Sequence, residues 1–436
     1  MALRHILFTN QLALKVCPDR TDWGCDMYRV LFVDDEPEVL VAIGRLLRRR
    51  EPNWDCVFVH SGREGLAALS RAVDAGEPFD VVVADMRMPE MDGPTFLTEV
   101  RQLHPQMIRI VLSGAADLEA NLRVIPIAHQ FLKKPLELPR LREAVVRSCD
   151  LRNLLNNERL KEIVGELDAL PMRPGIYDEL TTALADPRTS MHAVGTIVEQ
   201  DPGMSAKVLQ MVNSAFFGTT VSVTNVQQAV TFLGLPQIRQ LLLVLEVFEA
   251  FDEPQDKKLR YYSMEYEREH ALLTAKIARE LVEPEFVDHA FTAGVLHDIG
   301  KLVLASHMTE RFAECFHRCL LEDRPIEEIE REELGTTHAE IGAYLLALWG
   351  LPDPVVEAVA FHHDPERVQH DSFDVISAVH VANYLADPRP LKPLYLRAID
   401  MPYLERLGVA DKLEEWSRRA TEIQRADVSD DGDDAG

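Results

Sequence analysis

Basic residues are scarce in this chain. Its 436 residues carry 46 Lys and Arg against 72 Asp and Glu, a net charge of −26. Sequence-independent binding of DNA or RNA relies on a basic face, so no nucleic-acid partner is expected. The local cluster Arg45, Arg48, Arg49 and Arg50 falls at the end of an expected helix, where the macrodipole favours cations. Long apolar runs are also missing. None reaches the ~18 residues needed to span a bilayer, so no membrane association is expected. Residues 1–26 lack the charged, apolar and small-residue succession of a secretory signal; they read as a flexible extension or as sequence upstream of a misplaced start. Cysteine is sparse, with six residues scattered along the chain. Cys315 and Cys319 are spaced i, i+4, which is no zinc spacing, so buried inert thiols in a reducing cytoplasm are expected.

What the first third does contain is a set of apolar runs that end in polar groups. Val81 to Ala84 reads as a strand buried on both faces, and it ends in Asp85 before a Pro89–Gly93 turn. Tyr28 to Val33 ends in Asp34-Asp35, Met107 to Leu112 in Ser113-Gly114, and Gln130 to Leu132 in Lys133-Lys134-Pro135. Helical patterns lie between them at Val39–Arg50, Gly62–Val73 and Thr95–His104. Strands alternating with helices of this length predict a doubly wound parallel α/β sheet. In such a sheet ligands bind at the carboxyl ends of the strands. Three carboxylates, a hydroxyl and a lysine would therefore share one rim. Oxygen-only ligands favour Mg²⁺, and Mg²⁺ with Lys⁺ can neutralise charge on a transferring phosphoryl group.

Asp34-Asp35, Asp85 in Asp-x-x-Met-Pro-x-Met-Asp-Gly, Ser113 and Lys134-Pro135 fall in order at the right strand ends, and residues 27–145 resemble a response-regulator receiver domain. The resemblance implies a flavodoxin-like five-stranded sheet and a sensor histidine kinase as partner. It implies Asp85 as phosphoacceptor, and Mg²⁺ held by Asp34, Asp35, Asp85 and the backbone carbonyl of Arg87. Ser113 and Lys134 would bind the phosphoryl group, and Phe131 would be the aromatic switch. Ser113 departs mildly from the family, which more often has Thr there.

From Leu138 to about Leu170 apolar residues recur at helical spacing, which predicts a connector over 146–170. Such a helix can pair with itself in a homodimer or pack on its own domains; the break at Asn156-Asn157 favours packing. Pro171–Gly175 marks a boundary. Beyond it the patterns are almost wholly helical: Ile176–Ala185, Met191–Glu199, Gly203–Asn213, Val226–Leu233, Leu235–Phe251, Tyr262–Val282 and Phe286–Leu296. An all-α domain is expected over 171–395, then a helical segment over 396–425 and a disordered acidic tail over 426–436. Asp201-Pro202-Gly203-Met204, the run Val208–Gly218 through Asn213-Ser214, and Ala229–Gly234 together resemble the HDOD domain, an output module related to the HD phosphohydrolases.

The histidines bear on whether this half is an enzyme. His270, the adjacent His297-Asp298, His338 and the pair His362-His363 all lie in apolar helical stretches. His with Asp suits a divalent transition metal such as Fe, Mn or Zn, which can turn a bound water into a nucleophile toward a phosphoester. In the resemblance to HD phosphohydrolases, His270, His297 and Asp298 match the first three ligands, and His338, His362 and His363 match the additional ligands of two-metal members. The helix near Val375–Ala386 offers His380 and Asn383, so Asn383 stands where those enzymes have a charged Asp. The Gly-Tyr-Pro motif of the cyclic-di-GMP phosphodiesterases is absent; Asp364-Pro-Glu-Arg367 follows His363 instead. Two functions follow. One is a signalling adaptor in which phosphorylation changes how the helical domain meets an output protein. The other is a phosphorylation-gated, metal-dependent phosphohydrolase acting on a nucleotide or cyclic dinucleotide. The missing carboxylate favours the adaptor.

Overall fold

A computed structural model describes residues 28–113, 127–134, 136–154, 161, 163–164, 176–186, 188–213, 223–235, 238, 262–368, 370, 372–386 and 399–433. The extension over 1–26, most of the connector after 154, the Pro171–Gly175 boundary, the turn at Gly218 and most of the helix expected over Leu235–Phe251 lie outside them.

The first third is a parallel sheet of β1 (Arg29–Val33), β2 (Asp55–Val59), β3 (Val81–Asp85), β4 (Ile108–Ser113) and β5 (Gln130–Lys133), in the order β2-β1-β3-β4-β5. Every residue of β3 is buried, as a central strand covered on both faces requires. β2 forms one edge and is mostly half-buried, which is why it makes no continuous apolar run. Strand order reverses between β1 and β3, and their register pairs Val33 with Ala84. The carboxyl ends of these two strands therefore form a crevice carrying Asp34 and Asp85.

Helices α1 (Pro37–Arg50), α2 (Gly62–Asp74), α3 (Gly93–Leu103) and α4 (Leu138–Leu154) connect or follow the strands. Their starts are set by local chemistry: Pro37 opens α1, Ser61 caps α2 through Glu64 N, and Asp92 caps α3 through Thr95 N. Phe96 of α3 is fully buried, and a Cβ on Gly65 would lie 2.8 Å from its ring. The ring fills the space that this glycine leaves. Phe96→Ala should cost ~3–5 kcal/mol of receiver stability, read as a lower denaturant midpoint at unchanged slope.

The remainder is helical among the described residues: α5 (Ile176–Ala185), α6 (Met191–Glu199), α7 (Pro202–Asn213), α8 (Val226–Leu233), α9 (Met264–Leu281), α10 (Val287–Leu296), α11 (Ile299–His307), α12 (Thr309–Glu322), α13 (Ile326–Leu334), α14 (His338–Leu348), α15 (Asp353–Phe361), α16 (Val375–Leu385), α17 (Met401–Arg406) and α18 (Leu413–Asp433). Asp201 does start α7, accepting from Met204 N at 2.8 Å. Two glycines let helices touch. A Cβ on Gly294 would come 2.7 Å from Ala275 N, and one on Gly300 would collide with the His338 carbonyl. None of the described helices is long and apolar enough to cross a membrane.

The C-terminus corrects one expectation. Residues after 425 are not a structureless tail from their first residue, because α18 runs on to Asp433. Trp416 and Ala420 anchor its first turns, Trp416 in a core with Val381, Tyr403, Leu404 and Val409. Once that nucleus is fixed, each added residue contributes a backbone hydrogen bond for little entropy. Charge content alone therefore misplaces the end.

Candidate functional site

The receiver rim is organised by Lys134, the residue after β5. Its Nζ lies 2.6 Å from Asp85 Oδ1 and 2.8 Å from Asp34 Oδ2. Asp85 Oδ2 accepts the backbone N–H of Arg87 at 3.0 Å, and Asp34 Oδ1 accepts that of Glu36 at 2.9 Å. Burial pushes the Asp85 carboxyl up, against the pull of Lys134 and the Arg87 N–H. Burial also works against the Lys134 charge, but the two carboxylates outweigh it and raise its pKa. The rim thus holds an ammonium where negative charge would grow on an acceptor oxygen.

The other expected residues fall around this pair. Asp35 is half-buried next to Asp34. Phe131 is buried in β5. Ser113 ends β4 opposite Lys133, but its side chain lies outside the described ones. Asp34 Oδ2 is buried and faces only the Lys134 ammonium among the contacts described, at 2.8 Å. A hard cation with oxygen ligands fits such a donor set.

The second site lies wholly in the helical domain. His270 comes from the middle of α9, His297 and Asp298 from the junction of α10 and α11, His338 from the start of α14, and His362-His363 from the end of α15. Asp298 joins them. Its Oδ2 is 3.1 Å from His297 Nε2 and 3.8 Å from His270 Nε2; its Oδ1 is 3.1 Å from His338 Nε2 and 3.7 Å from His362 Nε2. Ligand atoms of His270, His297 and Asp298 lie within 4.8 Å of one another, as do those of Asp298, His338, His362 and His363. Asn383 of α16 reaches His270 Nε2 at 2.9 Å. His380, on the same helix, turns elsewhere: Nδ1 meets the His362 carbonyl and Nε2 accepts from Asp400 N.

The outer ring nitrogens are held in the manner of metal-binding imidazoles. Nδ1 of His270, His297 and His362 lies 2.7–3.0 Å from the carbonyls of Ala386, Gly294 and Val359. His338 Nδ1 meets the buried Glu330 carboxylate at 2.7 Å. Burial opposes a charge on His338, but Glu330 and Asp298 push it up to about 10. Burial pushes His362 down to about 3 and His363 well below its ordinary value. Burial likewise opposes the Asp298 charge, yet His297 and Lys301 hold it well below the usual carboxylate range.

Four participants were not singled out as site residues in the sequence. Lys301 is buried with Nζ 2.6 Å from Asp298 Oδ2 and 3.3 Å from Glu267 Oε2. Glu330 and Glu327 come from α13, and Glu327 Oε1 is 3.5 Å from His363 Nδ1. Burial pushes Glu327 up to about 7. A cavity of about 500 Å³, lined by Glu327, Thr337, His363, Arg331 and Arg367 among others, opens beside His363. The acidic run Ile326–Leu334 looks like a solvated face, and only packing shows that Glu330 turns inward.

Comparisons with known proteins bear on both domains. The family model of the response regulator receiver domain matches residues 30–146, and that of the HDOD domain matches residues 170–365. The chain is a receiver domain joined to an HDOD domain. An uncharacterized protein of Treponema pallidum is 24% identical over 221 residues, 51% of this chain and 43% of that protein. The sensor kinase CckA of Brucella abortus is 39% identical over 118 residues, 27% of this chain and 12% of the kinase. This chain thus spans less than half the length of either relative. The MmoQ response regulator of Methylococcus capsulatus, a solved structure, is 23% identical with a TM-score of 0.43, covering 58% of this chain and 97% of MmoQ.

Proposed function

We propose that this receiver–HDOD chain is a two-component response regulator that takes a phosphoryl group on Asp85 from a sensor histidine kinase. Its HDOD domain would act on an output protein. The observation that carries this is Lys134, whose ammonium bridges Asp85 and Asp34 at the switch point of the sheet. Asp85 Oδ1 attacks the phosphorus of the donor, the bond to the donor's leaving group breaks, and an acyl phosphate forms. Mg²⁺ held by Asp34, Asp35, Asp85 and the Arg87 carbonyl would supply charge neutralisation when bound. Lys134 would pair with the phosphoryl oxygens, and Ser113 would hydrogen-bond them. Acetyl phosphate with Mg²⁺ should label the protein on the peptide containing Asp85. Label confined to another residue, or none at all, would refute the assignment.

A second activity is supported by one specific observation. His362 Nε2 is buried without a hydrogen-bond partner, as a ligand atom awaiting a cation would be. With Fe, Mn or Zn the HDOD domain would be a metal-dependent phosphohydrolase gated by the receiver, its substrate entering by the cavity beside His363. Asn383 in place of a carboxylate makes this the weaker of the two. Turnover of a nucleotide and cyclic-dinucleotide panel by metal-loaded, phosphorylated protein tests it; zero turnover across the panel would leave the adaptor function alone.

A further inference from the structure

We infer that the cavity beside His363 receives an arginine side chain of the output protein, paired with Glu327. The inference rests on the adaptor function proposed above and deepens it, because it names the chemistry by which the helical domain would recognise its partner.

The cavity, of about 500 Å³, is walled by α13, the start of α14 and the end of α15. Its lining sets Arg324, Arg331 and Arg367 against Glu327, Glu328, Glu332 and Asp364. Each arginine is already matched. Arg324 Nη2 lies 3.1 Å from Glu328 Oε2 and 2.6 Å from Glu332 Oε1. Arg331 reaches Glu340 Oε1 at 3.0 Å, and Arg367 lies 3.6 Å from the same oxygen and 3.9 Å from Asp364 Oδ2. These guanidiniums are engaged, so an incoming phosphoester would compete with carboxylates for them and would meet the surplus carboxylate as well.

Glu327 is that surplus carboxylate. Its Oε2 is buried with no hydrogen-bond partner, and its Oε1 is 3.5 Å from His363 Nδ1, longer than a good hydrogen bond. A buried carboxylate without a counter-charge is costly. The Glu327 side chain keeps 20% of its surface exposed, so a cation can reach it from the cavity. A guanidinium suits it better than an ammonium, because the planar fork offers paired N–H groups to a carboxylate. Ala339 and Ala360 give small apolar walls for the methylene stem of such a side chain. The net charge of −26 favours the approach of a basic partner.

The test uses the full chain at pH 8, above the value of about 7 to which burial pushes Glu327. The probe is a dye-labelled Ser-Gly-Arg-Gly-Ser peptide, compared with the same peptide carrying Gln in place of Arg, and fluorescence anisotropy reads binding. The Arg peptide should bind at least ~10-fold more tightly, since hydrogen bonds to a charged group are at stake. Glu327→Gln should erase that preference. Glu328→Gln, which touches an exposed pair, should change it by less than ~5-fold. Ala360→Leu fills the cavity and leaves every charge in place; it should erase the preference too, and it decides the matter if Glu327→Gln fails to fold. Equal binding of the two peptides, or a preference that survives in both Glu327→Gln and Ala360→Leu, would overturn the pocket assignment and leave the adaptor function standing. Spermidine binding more tightly than the Arg peptide would reassign the cavity to a free polyamine and overturn the partner. Nucleotide turnover by the wild type would instead sink the adaptor function, whatever the peptides do.

Discussion

Gly300→Ala should unfold the helical domain at temperatures where the wild type is intact. Gly300 is the second residue of α11, and α14 crosses it so closely that an added Cβ would collide with the His338 carbonyl and come 2.9 Å from Gly342 N. Those contacts are backbone, which cannot step aside by changing a rotamer. Either α11 or α14 must move. Overpacking a tight core costs typically 1–3 kcal/mol and more where only backbone can yield, so a loss of ~3 kcal/mol or above is expected. The move would also carry His338 away from Asp298, since the colliding carbonyl is that of His338 itself. Calorimetry should show the helical transition lowered with the receiver transition in place. An unchanged helical transition would mean that α11 and α14 do not cross this closely.

Asp85→Asn should abolish labelling by acetyl phosphate while leaving the receiver folded. Asparagine has nearly the same shape, but its amide is no nucleophile toward phosphorus. The stability change should stay within ~1 kcal/mol, because burial already disfavours the Asp85 charge and Lys134 keeps its partner Asp34. Full labelling of the variant would move the acceptor to another residue. Loss of labelling together with loss of the folded signal would show that Asp85 is needed for the fold before it is needed for chemistry.

How much of this was visible in the sequence depended on whether packing or pattern decides. β1, β3 and β4 are apolar at most positions, so their carboxyl ends, and with them Asp34, Asp85 and Ser113, could be placed at once. β2 could not be read in this way, because Asp55–Val59 lies at the sheet edge with mixed exposure. The helix starts expected from periodicity at Met191 and Val226 are those of α6 and α8, where Ser190 and Asn225 cap the first turn. α1 and α3 begin two residues earlier than their apolar periodicity, at Pro37 and Gly93, because proline and glycine add nothing to an apolar pattern. The histidines were legible as a set. The resemblance also separated His270 and His297 from His338, His362 and His363; the pairing of Lys301 with Asp298 Oδ2 was not legible, since it depends on packing. Glu330 was hidden by its acidic neighbours, which are solvated while it is buried.

Lys134 has a mechanical consequence beyond its charge. β5 is an edge strand of four residues, and a short edge is the part of a sheet most prone to fray. The lysine directly after it reaches past β4 to the ends of β3 and β1, so the ion pairs fasten the border of the sheet to its middle like a hasp. Neutralising Asp85 removes one of the two holds. Amide hydrogens of β5 should then exchange faster in Asp85→Asn than in wild type, while those of β1 keep their rate. Chemistry at one buried oxygen would in this way be felt as looseness at the sheet's rim.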